Sequence, residues 1–481
     1  MYFELRIIQR IGHSLEKNRD WRTQMAGMAR MSAEHRATPL MRRILGNTTG
    51  TLGIFLLALA MGACRRTAQE PVTLSYLGWS QPDELPTSDP LAQRFTRETG
   101  IRVKHLPVPE ISLSQLDLSR KLLHEGSSGP DVLSVDVIWA GVLQEDLIDL
   151  RPYLAAELPS LEPKLVPIFT VDGKLVTVPY QVQVGVLEYR TDLLREYGFD
   201  HPPTSWDELE KMAARIQAGE REKGNKDFWG YVWQGADAES LTCNALEWQV
   251  AEGGGQIIED GRTISVNNPA AIRSWLRAKR WIGWISPPGV IAYRENDSMN
   301  AFDSGSAAFN RVWGGATGGV TIRPKGQSRL IHWRSSLPIG KTGYMSIPGG
   351  RGGQGGTLGG SGLAISRHSA HPQEAIEFVR FLIRTQIQSN PEQGTVENLP
   401  AQPEVYDLRS ALNSEKSDRH KSGVIARPST LAGSAYEQVT RAYFGAVHSV
   451  LNGDIGAAEA AAELEKQLVK ITGFKAGPPK T

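Results

Sequence analysis

The chain has 481 residues, and 53 Lys or Arg residues nearly balance 52 Asp or Glu residues, for a formal net charge of +1. This length is too great for one ordinary hydrophobic core and suits two lobes or domains. The balanced charge provides no broad field for nucleic acid or anionic lipid, which favours a neutral partner. With only two cysteines, Cys64 and Cys243, a disulfide scaffold is excluded.

The first predicted element is a secretory signal peptide over residues 41–63. Arg42 and Arg43 give it a basic start, residues 52–63 form a short apolar core, and small residues lead to Cys64. This core is shorter than the about 20 residues that a membrane-spanning helix needs. Small residues that end at a cysteine resemble a bacterial lipobox, which would make Cys64 the acylated first residue of the mature protein. The alternative is an uncleaved N-terminal anchor helix. In either case the rest of the chain works outside the cytoplasm, tethered to a membrane.

Residues 1–40 are polar, mixed in charge and without a sustained apolar period. Because the signal is complete from Met41 onward, we interpret them as a mis-annotated N-terminal extension and Met41 as the natural start. The competing interpretations are a cytoplasmic tail, which has no folding signal here, and a twin-arginine export signal around Arg42-Arg43, which matches poorly. Residues 64–70 are predicted to be a short tether.

Beyond residue 70 the sequence predicts strands that alternate with helices. The predicted strands are 72–78, 101–107, 131–135 and 229–232, with a further apolar run at 175–179. The predicted helices are 89–99, 112–124, 205–218, 241–250, 371–385, 403–412, 435–452 and 455–471. This spacing makes βαβ units and hence a mostly parallel sheet. Ser205, with Glu208 three residues on, marks one helix start. Glycine-rich loops are predicted at 253–255 and 349–360.

Twelve tryptophans are many for a chain of this size, and the flat apolar indole suits both protein cores and sugar rings. We assign six of them to the core, namely Trp229, Trp233, Trp248, Trp275, Trp281 and Trp284. Cys243 lies in an apolar run, which indicates a buried, inert thiol rather than a nucleophile. The ten histidines lack metal-ligand spacing, so we expect neither a metal nor another cofactor.

Asp136 follows the third predicted strand, with Trp139 nearby. In open α/β sheets ligands bind outside the carboxyl ends of the strands, so Asp136 is well placed to accept hydrogen bonds from the hydroxyl groups of a ligand. The alternative is that Asp136 only caps the start of the following helix.

Eight segments in chain order carry a family resemblance. They are GPDVLSVDVIWAGVLQEDLIDLRPYL (129–154), VPYQVQVGVLEYRTDLL (178–194), GYVWQGADAESLTCNALEW (230–248), ISPPGV (285–290), FDSGSAAFNRVW (302–313), TLGGSGLAIS (357–366), NLP (398–400) and ARPST (426–430). Together they resemble the extracellular solute-binding proteins, family 1, of ABC importers for sugars, nearest to the trehalose/maltose-binding group. Each segment is weak alone, but eight in the right order make a strong signal.

The resemblance implies the α/β fold of a type II periplasmic binding protein, with two α/β lobes, hinge strands and a ligand cleft. The N-lobe is expected at 71–181 and 362–397, the C-lobe at 182–361 and 398–472, and a tail at 473–481. The implied partners are a saccharide and ABC permease subunits with a cytoplasmic ATPase. We expect a monomer that binds no nucleic acid.

The sugar-contacting positions of the family fall on Asp136, Gln183, Glu239, Trp313, the Gly359-Gly360-Ser361 turn and Arg427, with Trp79 as a further candidate. Asp136 and Glu239 would accept hydrogen bonds from hydroxyl groups, and Arg427 would donate them. Trp313 would stack on a pyranose ring. As alternatives, Trp313 could belong to the core, Glu239 could cap or pair at a helix start, and Arg427 could only pair with an acid.

The chain also departs from the family pattern. Gln183 replaces the common Asp or Asn, Glu188 and Ala238 replace Tyr, Ser240 replaces Gly, and Ser361 replaces Trp. The lost aromatic rings leave fewer surfaces for stacking, so specificity for trehalose or maltose does not follow from the resemblance.

The sequence therefore predicts a lipid-anchored, extracytoplasmic binding protein of an ABC importer, which captures a neutral di- or oligosaccharide and has no catalytic residues. One alternative is a lipid-anchored carbohydrate-active enzyme, which would need two opposed carboxylates such as Asp136 and Glu239. Another is a sugar sensor subunit, which would use the same lobe closure to feed a signalling receptor.

Overall fold

The structure is a computed structural model that describes residues 71–78, 90–109, 112–126, 129–161, 165–313, 341–389 and 423–480. The proposed signal and tether with Cys64, the candidate Trp79, the motif at 398–400 and the predicted helix 403–412 lie outside these ranges. The predictions for those residues therefore stay predictions.

Strands alternate with helices along the first part of the chain, as the hydrophobic pattern predicts. The described strands are β1 (Thr73–Leu77), β2 (Arg102–Leu106), β3 (Val132–Asp136), β4 (Thr170–Val171), β5 (Lys174–Leu175), β6 (Val178–Arg190), β7 (Trp229–Val232), β8 (Ile258–Glu259), β9 (Thr263–Ile264), β10 (Ala307–Trp313), β11 (Thr342–Ser346), β12 (Gly355–Ile365), β13 (Gly423–Ile425) and β14 (Lys475–Ala476). The described α-helices are α1 (Pro90–Thr99), α2 (Ser112–His124), α3 (Ala140–Leu143), α4 (Thr191–Glu196), α5 (Trp206–Glu222), α6 (Glu239–Ala251), α7 (Pro269–Trp281), α8 (Glu295–Asp303), α9 (Pro372–Ser389), α10 (Ser429–Ala432), α11 (Tyr436–Asn452) and α12 (Ala457–Thr472).

Local sequence signals fix several helix ends. Ser205 caps α5, because its hydroxyl accepts a hydrogen bond from the backbone N–H of Glu208 at 3.3 Å, as predicted. Asn268 caps α7 in the same way, and a proline occupies the first turn, where an N–H would have no partner within the helix. Gly453 ends α11 in the left-handed conformation that glycine adopts without strain.

One nine-stranded sheet runs through the protein in the order β2-β1-β3-β12-β6-β10-β7, with β11 paired to β6 and β13 paired to β12. β1 pairs with β2 and β3 in parallel, as the βαβ pattern predicts. β12 is antiparallel to β3 and β6, and β6 is antiparallel to β10 and β11. The prediction of a mostly parallel sheet is therefore wrong for the middle of the sheet, where strands do not enter through βαβ crossovers.

β6 and β12 are the two long strands in the middle of the sheet, with 13 and 11 residues. β6 contributes Val184 and Val186 to one hydrophobic core and Leu187 and Tyr189 to a second. Alternate residues of a strand face opposite sides of the sheet, so one strand can serve both cores. These strands therefore connect the two halves of the described chain.

The glycine-rich run at 349–360 is a loop only in its first part, because the residues from Gly355 onward belong to β12. A Cβ atom at Gly356 would lie 2.0 Å from the carbonyl oxygen of Gly185, and one at Gly359 would lie 2.6 Å from the Trp313 ring. The prediction of a loop up to Gly360 is thus wrong. Gly356 and Gly359 are not turn residues: they lie in a strand, at positions where neighbouring groups come so close that a side chain would not fit.

Each half of the molecule has its own hydrophobic core. The first core packs the N-terminal βα units against α9 and includes Phe95, Leu133 and Phe378. Tyr436, at the start of α11, also joins this core, while the rest of the buried face of α11 joins the second core. Two cores agree with the two-lobe expectation, and the residue boundaries of the lobes stay a prediction.

The second core is rich in tryptophan, as predicted for Trp233, Trp248, Trp275 and Trp281, which are all buried. Trp284 is 46% exposed, so its assignment to the core is wrong. It follows α7 in a turn where Trp281 takes the position that faces the core. Trp229 is only partly buried and lies under the guanidinium group of Arg221, 4.4 Å from the ring centre.

Candidate functional site

Asp136 lies where β3 ends, opposite Ser361 of β12. Its Oδ2 accepts a hydrogen bond from the Ser112 hydroxyl at 3.0 Å, and its Oδ1 accepts one from the backbone N–H of Ile138 at 3.2 Å. The second bond is a local turn contact, whereas α3 begins only after Trp139 and has no side-chain cap. The Asp136 side chain is 22% exposed, so it keeps an accessible edge that can accept hydrogen bonds from a ligand.

Glu239 and Arg427 meet beside Asp136. Arg427 Nη1 donates to Glu239 Oε1 at 2.7 Å, and Arg427 Nη2 lies 3.8 Å from Asp136 Oδ1. Glu239 also accepts hydrogen bonds from the Tyr436 and Thr440 hydroxyl groups of α11, at 2.8 Å and 2.6 Å. Glu239 and Arg427 thus form an ion pair with each other, which is the alternative considered for each of them from the sequence.

Arg427 also connects this cluster to the long strand β12. Its Nη2 donates to the carbonyl oxygen of Leu358 at 3.0 Å, while its Nε is buried without a hydrogen-bond partner in the described part of the chain. A buried N–H group without a partner carries a free-energy penalty, which a ligand oxygen or water could remove. Arg427 is thus a possible donor to a ligand as well as a partner of Glu239.

The cluster of Asp136, Glu239 and Arg427 holds two carboxyl groups and one guanidinium group. Burial raises the pKa of Asp136, and the charge of Arg427 opposes that rise. Burial also raises the pKa of Glu239, again opposed by Arg427 and by the hydroxyl donors around it. Because Glu239 already accepts three hydrogen bonds within the protein, Asp136 provides the accessible acceptor of the cluster and Arg427 the donor for the hydroxyls of a neutral ligand.

Trp313, Gln183 and the glycines of β12 lie close together where β6 pairs with β12 and β10. Trp313 lies opposite Gly185 of β6, and Gln183 lies opposite Gly359 of β12. The Trp313 ring rests against Gly359, and the guanidinium carbon of Arg311 is 4.1 Å from the centre of the ring. Trp313 remains partly exposed, which distinguishes it from the core tryptophans and suits a stacking surface.

Gly360 and Ser361 make different contacts near the site, Gly360 through its backbone and Ser361 through its side chain. Gly360 has a φ of 94°, which favours glycine, and its carbonyl oxygen accepts a hydrogen bond from the backbone N–H of Val137 at 3.0 Å. This bond ties β12 to the turn after Asp136. Ser361 is buried, and its Oγ accepts a hydrogen bond from the Ser134 hydroxyl at 2.9 Å. Its role as a ligand contact stays a prediction.

Sequence reasoning missed a second, fully buried ion pair. Arg311 of β10 and Glu247 of α6 are each 0% exposed at the side chain and lie 2.6 Å apart. The available signals were an arginine inside the buried strand and a glutamate inside the apolar helix. Glu188 of β6 is also buried, and the sequence marked it only as a departure from the family pattern.

Cys243 lies on the same helix as Glu239 and Glu247, midway between them in sequence. It is a free cysteine and is buried, as predicted, and burial raises the pKa of its thiol to about 12, which disfavours the nucleophilic thiolate. Among the described residues, no group of His, Cys, Asp or Glu side chains is arranged to hold a metal ion.

Two α/β halves connected by long paired strands, with polar groups gathered beside those strands, define a two-lobe ligand-binding protein. The chain belongs to the family of bacterial extracellular solute-binding proteins, whose sequence model matches residues 78–389. The family predicted from the eight segments is thereby confirmed. Because members of this family bind solutes rather than transform them, the interpretation as a non-enzyme is confirmed as well.

Relatives and solved structures support the same assignment. The chain is 37% identical over 400 residues to a probable ABC transporter-binding protein of Deinococcus radiodurans, covering 79% of this chain and 89% of the relative. It is similar to maltose-bound T. maritima MalE3, with 27% identity, a TM-score of 0.66, and coverage of 83% of this chain and 100% of that one. A tagatose-bound solute-binding protein of Thermotoga lettingae shares the fold, with a TM-score of 0.67 at 20% identity over 84% of this chain and all of that one.

The fold prediction of a two-lobe, type II periplasmic binding protein is confirmed by these structures. The family also places the binding part of the chain outside the cytoplasm. Within the described ranges, no helix combines the length and the apolar character needed to cross a bilayer.

Proposed function

We propose that the chain is the substrate-binding protein of an ABC importer, which captures a neutral di- or oligosaccharide between its two lobes and delivers it to the permease. The observation that carries this proposal is that Asp136, Arg427 and Trp313 all meet one short stretch of β12: Asp136 lies opposite Ser361, Arg427 donates to the carbonyl oxygen of Leu358, and the Trp313 ring rests against Gly359. They provide acceptors, a donor and a stacking surface, which are the groups that bind a hydroxylated ring.

The relatives support both parts of the proposal. The relative from Deinococcus radiodurans is named as a transporter-binding protein, and the T. maritima structure holds maltose. The net charge of the chain is close to zero and provides no long-range attraction for a charged ligand, which favours a neutral one.

A carbohydrate-active enzyme fits the geometry less well. Hydrolysis of a glycosidic bond needs two carboxyl groups that face each other across the bond, one to donate a proton and one to activate water or attack. Glu239 accepts three hydrogen bonds from Arg427, Tyr436 and Thr440, so its carboxylate is used within the protein. Asp136 alone does not make a catalytic pair.

Ligand capture would operate by closure of the two lobes about the paired strands β6 and β12. Helix α11, whose buried face otherwise joins the second core, already reaches the first half at its start: the Tyr436 ring packs edge to face on Trp139 at 5.9 Å, and Glu437 pairs with Arg120 of α2 at 2.7 Å. A ligand that contacts both halves favours the closed state by the difference in its affinity for the two states. An acylated Cys64 would keep the closed, loaded protein close to its permease.

Calorimetric titration of the purified protein with maltose, maltotriose, trehalose and sorbitol tests the proposal. We expect saturable binding of at least one saccharide without turnover. Trp313→Ala should weaken it by about 1–3 kcal/mol, with little change in thermal stability, because a desolvated stacking contact is lost. Asp136→Ala should weaken it more, since ligand hydroxyls lose an acceptor. Hydrolysis of any of these sugars, or unchanged affinity in both variants, would contradict the proposal.

A further inference from the structure

The buried pair of Arg311 and Glu247 contacts two parts of the candidate site, the Trp313 ring and strand β12. Arg311 Nη2 donates to Glu247 Oε1 at 2.6 Å, and Arg311 Nε donates to Glu247 Oε2 at 3.2 Å. This two-bond geometry fixes the plane of the guanidinium group as well as its position. Both side chains are shielded from water, so their charges depend on one another.

The pair also holds the long strand β12. Glu247 Oε1 accepts hydrogen bonds from the backbone N–H and the hydroxyl of Thr357, at 2.9 Å and 2.7 Å. Arg311 Nη2 donates to the same hydroxyl oxygen at 2.9 Å. Thr357 precedes Gly359 by two residues, so the pair fixes the part of β12 against which the Trp313 ring rests.

The absence of a side chain on β6 makes room for the pair. A Cβ atom at Gly185 would lie 2.1 Å from Glu247 Oε1 and 2.4 Å from Arg311 Nη2. Gly185 is also the residue opposite Trp313 in the β10–β6 ladder. The pair, the indole and the two long strands therefore meet at one point.

Arg311 and Trp313 are two residues apart on β10, so their side chains leave the same face of the strand. The guanidinium carbon lies 4.1 Å from the centre of the indole ring, within the range of a cation–π contact. Such a contact is strongest where water is excluded, and the planar guanidinium group can lie along an aromatic face.

We propose that Arg311 and Glu247 are positioning residues for the ligand site: they orient the Trp313 ring against Gly359 so that its exposed part can stack on a sugar. The claim that the ring stacks on a sugar rests on the proposed function. Arg311 orients the ring by direct contact, and Glu247 neutralises and orients Arg311. A purely structural pair would instead stabilise the contact between α6 and the sheet without any specific effect on Trp313.

Arg311→Lys is the main test variant, because lysine keeps the charge but lacks the planar fork that contacts both Glu247 and the ring. The double variant Arg311→Met with Glu247→Met removes both charges and so avoids an unpaired buried carboxylate. Arg221→Lys is the matched control, since Arg221 makes a similar contact with Trp229 on the outer strand β7, away from the site. Urea unfolding of each variant shows whether it is folded.

The first measurement needs no ligand. The protein is labelled with 5-fluorotryptophan, and the ¹⁹F resonance of Trp313 is assigned by its absence in Trp313→Phe. We expect this resonance to shift or broaden in Arg311→Lys and in the double variant, and to stay unchanged in Arg221→Lys. A Trp313 resonance that stays unchanged in both folded Arg311 variants overturns the proposal, whether or not a sugar binds.

The second measurement uses whichever of maltose, maltotriose or trehalose binds the wild-type protein most tightly. Arg311→Lys should lower its affinity about 5-fold or more in the wild-type background, and less than about 2-fold in the Trp313→Ala background. Equal losses in both backgrounds show a structural pair and overturn the proposal. Failure of the wild-type protein to bind any of the three sugars counts against the proposed function, while the ¹⁹F result still decides the positioning role.

Discussion

Glu188 provides a prediction about stability and pH whose size follows from the structure. It lies on β6, opposite Asn310 of β10 and Tyr344 of β11, and is only 3% exposed. Its carboxyl group accepts hydrogen bonds from the Tyr344 hydroxyl at 2.7 Å and from the Asn310 amide at 3.3 Å. Burial raises its pKa from 4.5 to about 7, with a smaller rise from the nearby Asp303.

The sign of the effect follows from proton binding. Between pH 4.5 and pH 7 the folded protein holds a proton on Glu188 that the unfolded chain has released, so stability falls as the pH rises through this window. A difference of about 2.5 pKa units corresponds to about 3 kcal/mol at pH 8, since one unit is worth about 1.4 kcal/mol. Below pH 4.5 Glu188 is protonated in both the folded and the unfolded chain, so this destabilisation disappears.

Glu188→Gln removes the ionisation but keeps a side chain of similar shape that can hydrogen-bond to both neighbours. We expect the variant to gain stability relative to the wild-type protein as the pH rises, by about 2.5 kcal/mol between pH 5 and pH 8. Urea unfolding at both pH values measures this difference. Glu98→Gln is the control, because the side chain of Glu98 is 49% exposed on α1. A Glu188→Gln difference that is the same at both pH values would refute the reasoning.

Two further predictions concern the site. Glu239→Ala leaves Arg427 buried without its main partner and should lower the free energy of unfolding by about 3–5 kcal/mol in urea titrations, whereas a change below about 1 kcal/mol would show that the pair is open to water. Gly359→Ala places a Cβ atom 2.6 Å from the Trp313 ring and should weaken saccharide binding about 10-fold in calorimetry by displacing that ring. Gly445→Ala, in open space on α11, should leave binding unchanged, and equal affinities in the two glycine variants would contradict the contact.

Hydrophobic periodicity predicted the first half of the fold well. The predicted helix at 112–124 matches α2, and the predicted strand at 229–232 matches β7. These elements obey rules that act over a few residues, such as alternation, capping and helix period. The family resemblance then supplied what local rules cannot, namely the arrangement of these elements in two lobes.

The middle of the sheet was less predictable. The glycine-rich residues at 355–360 have the local signature of a loop, yet they form β12 because β3 and β6 provide hydrogen-bond partners on both sides. Those partners come from distant parts of the chain, so no window of a few residues contains the information.

The candidate site was also predictable only in part from the sequence. The sequence by itself determined the residue types, with Asp136 after a strand and Trp313 at the end of another, and through the resemblance it determined the family. Only the tertiary structure decided that Glu239 pairs with Arg427, 188 residues away, and that Arg311 lies under the Trp313 ring. The physical reason is that a buried charge must find a partner, and which partner it finds depends on the packing of distant elements rather than on its neighbours in sequence.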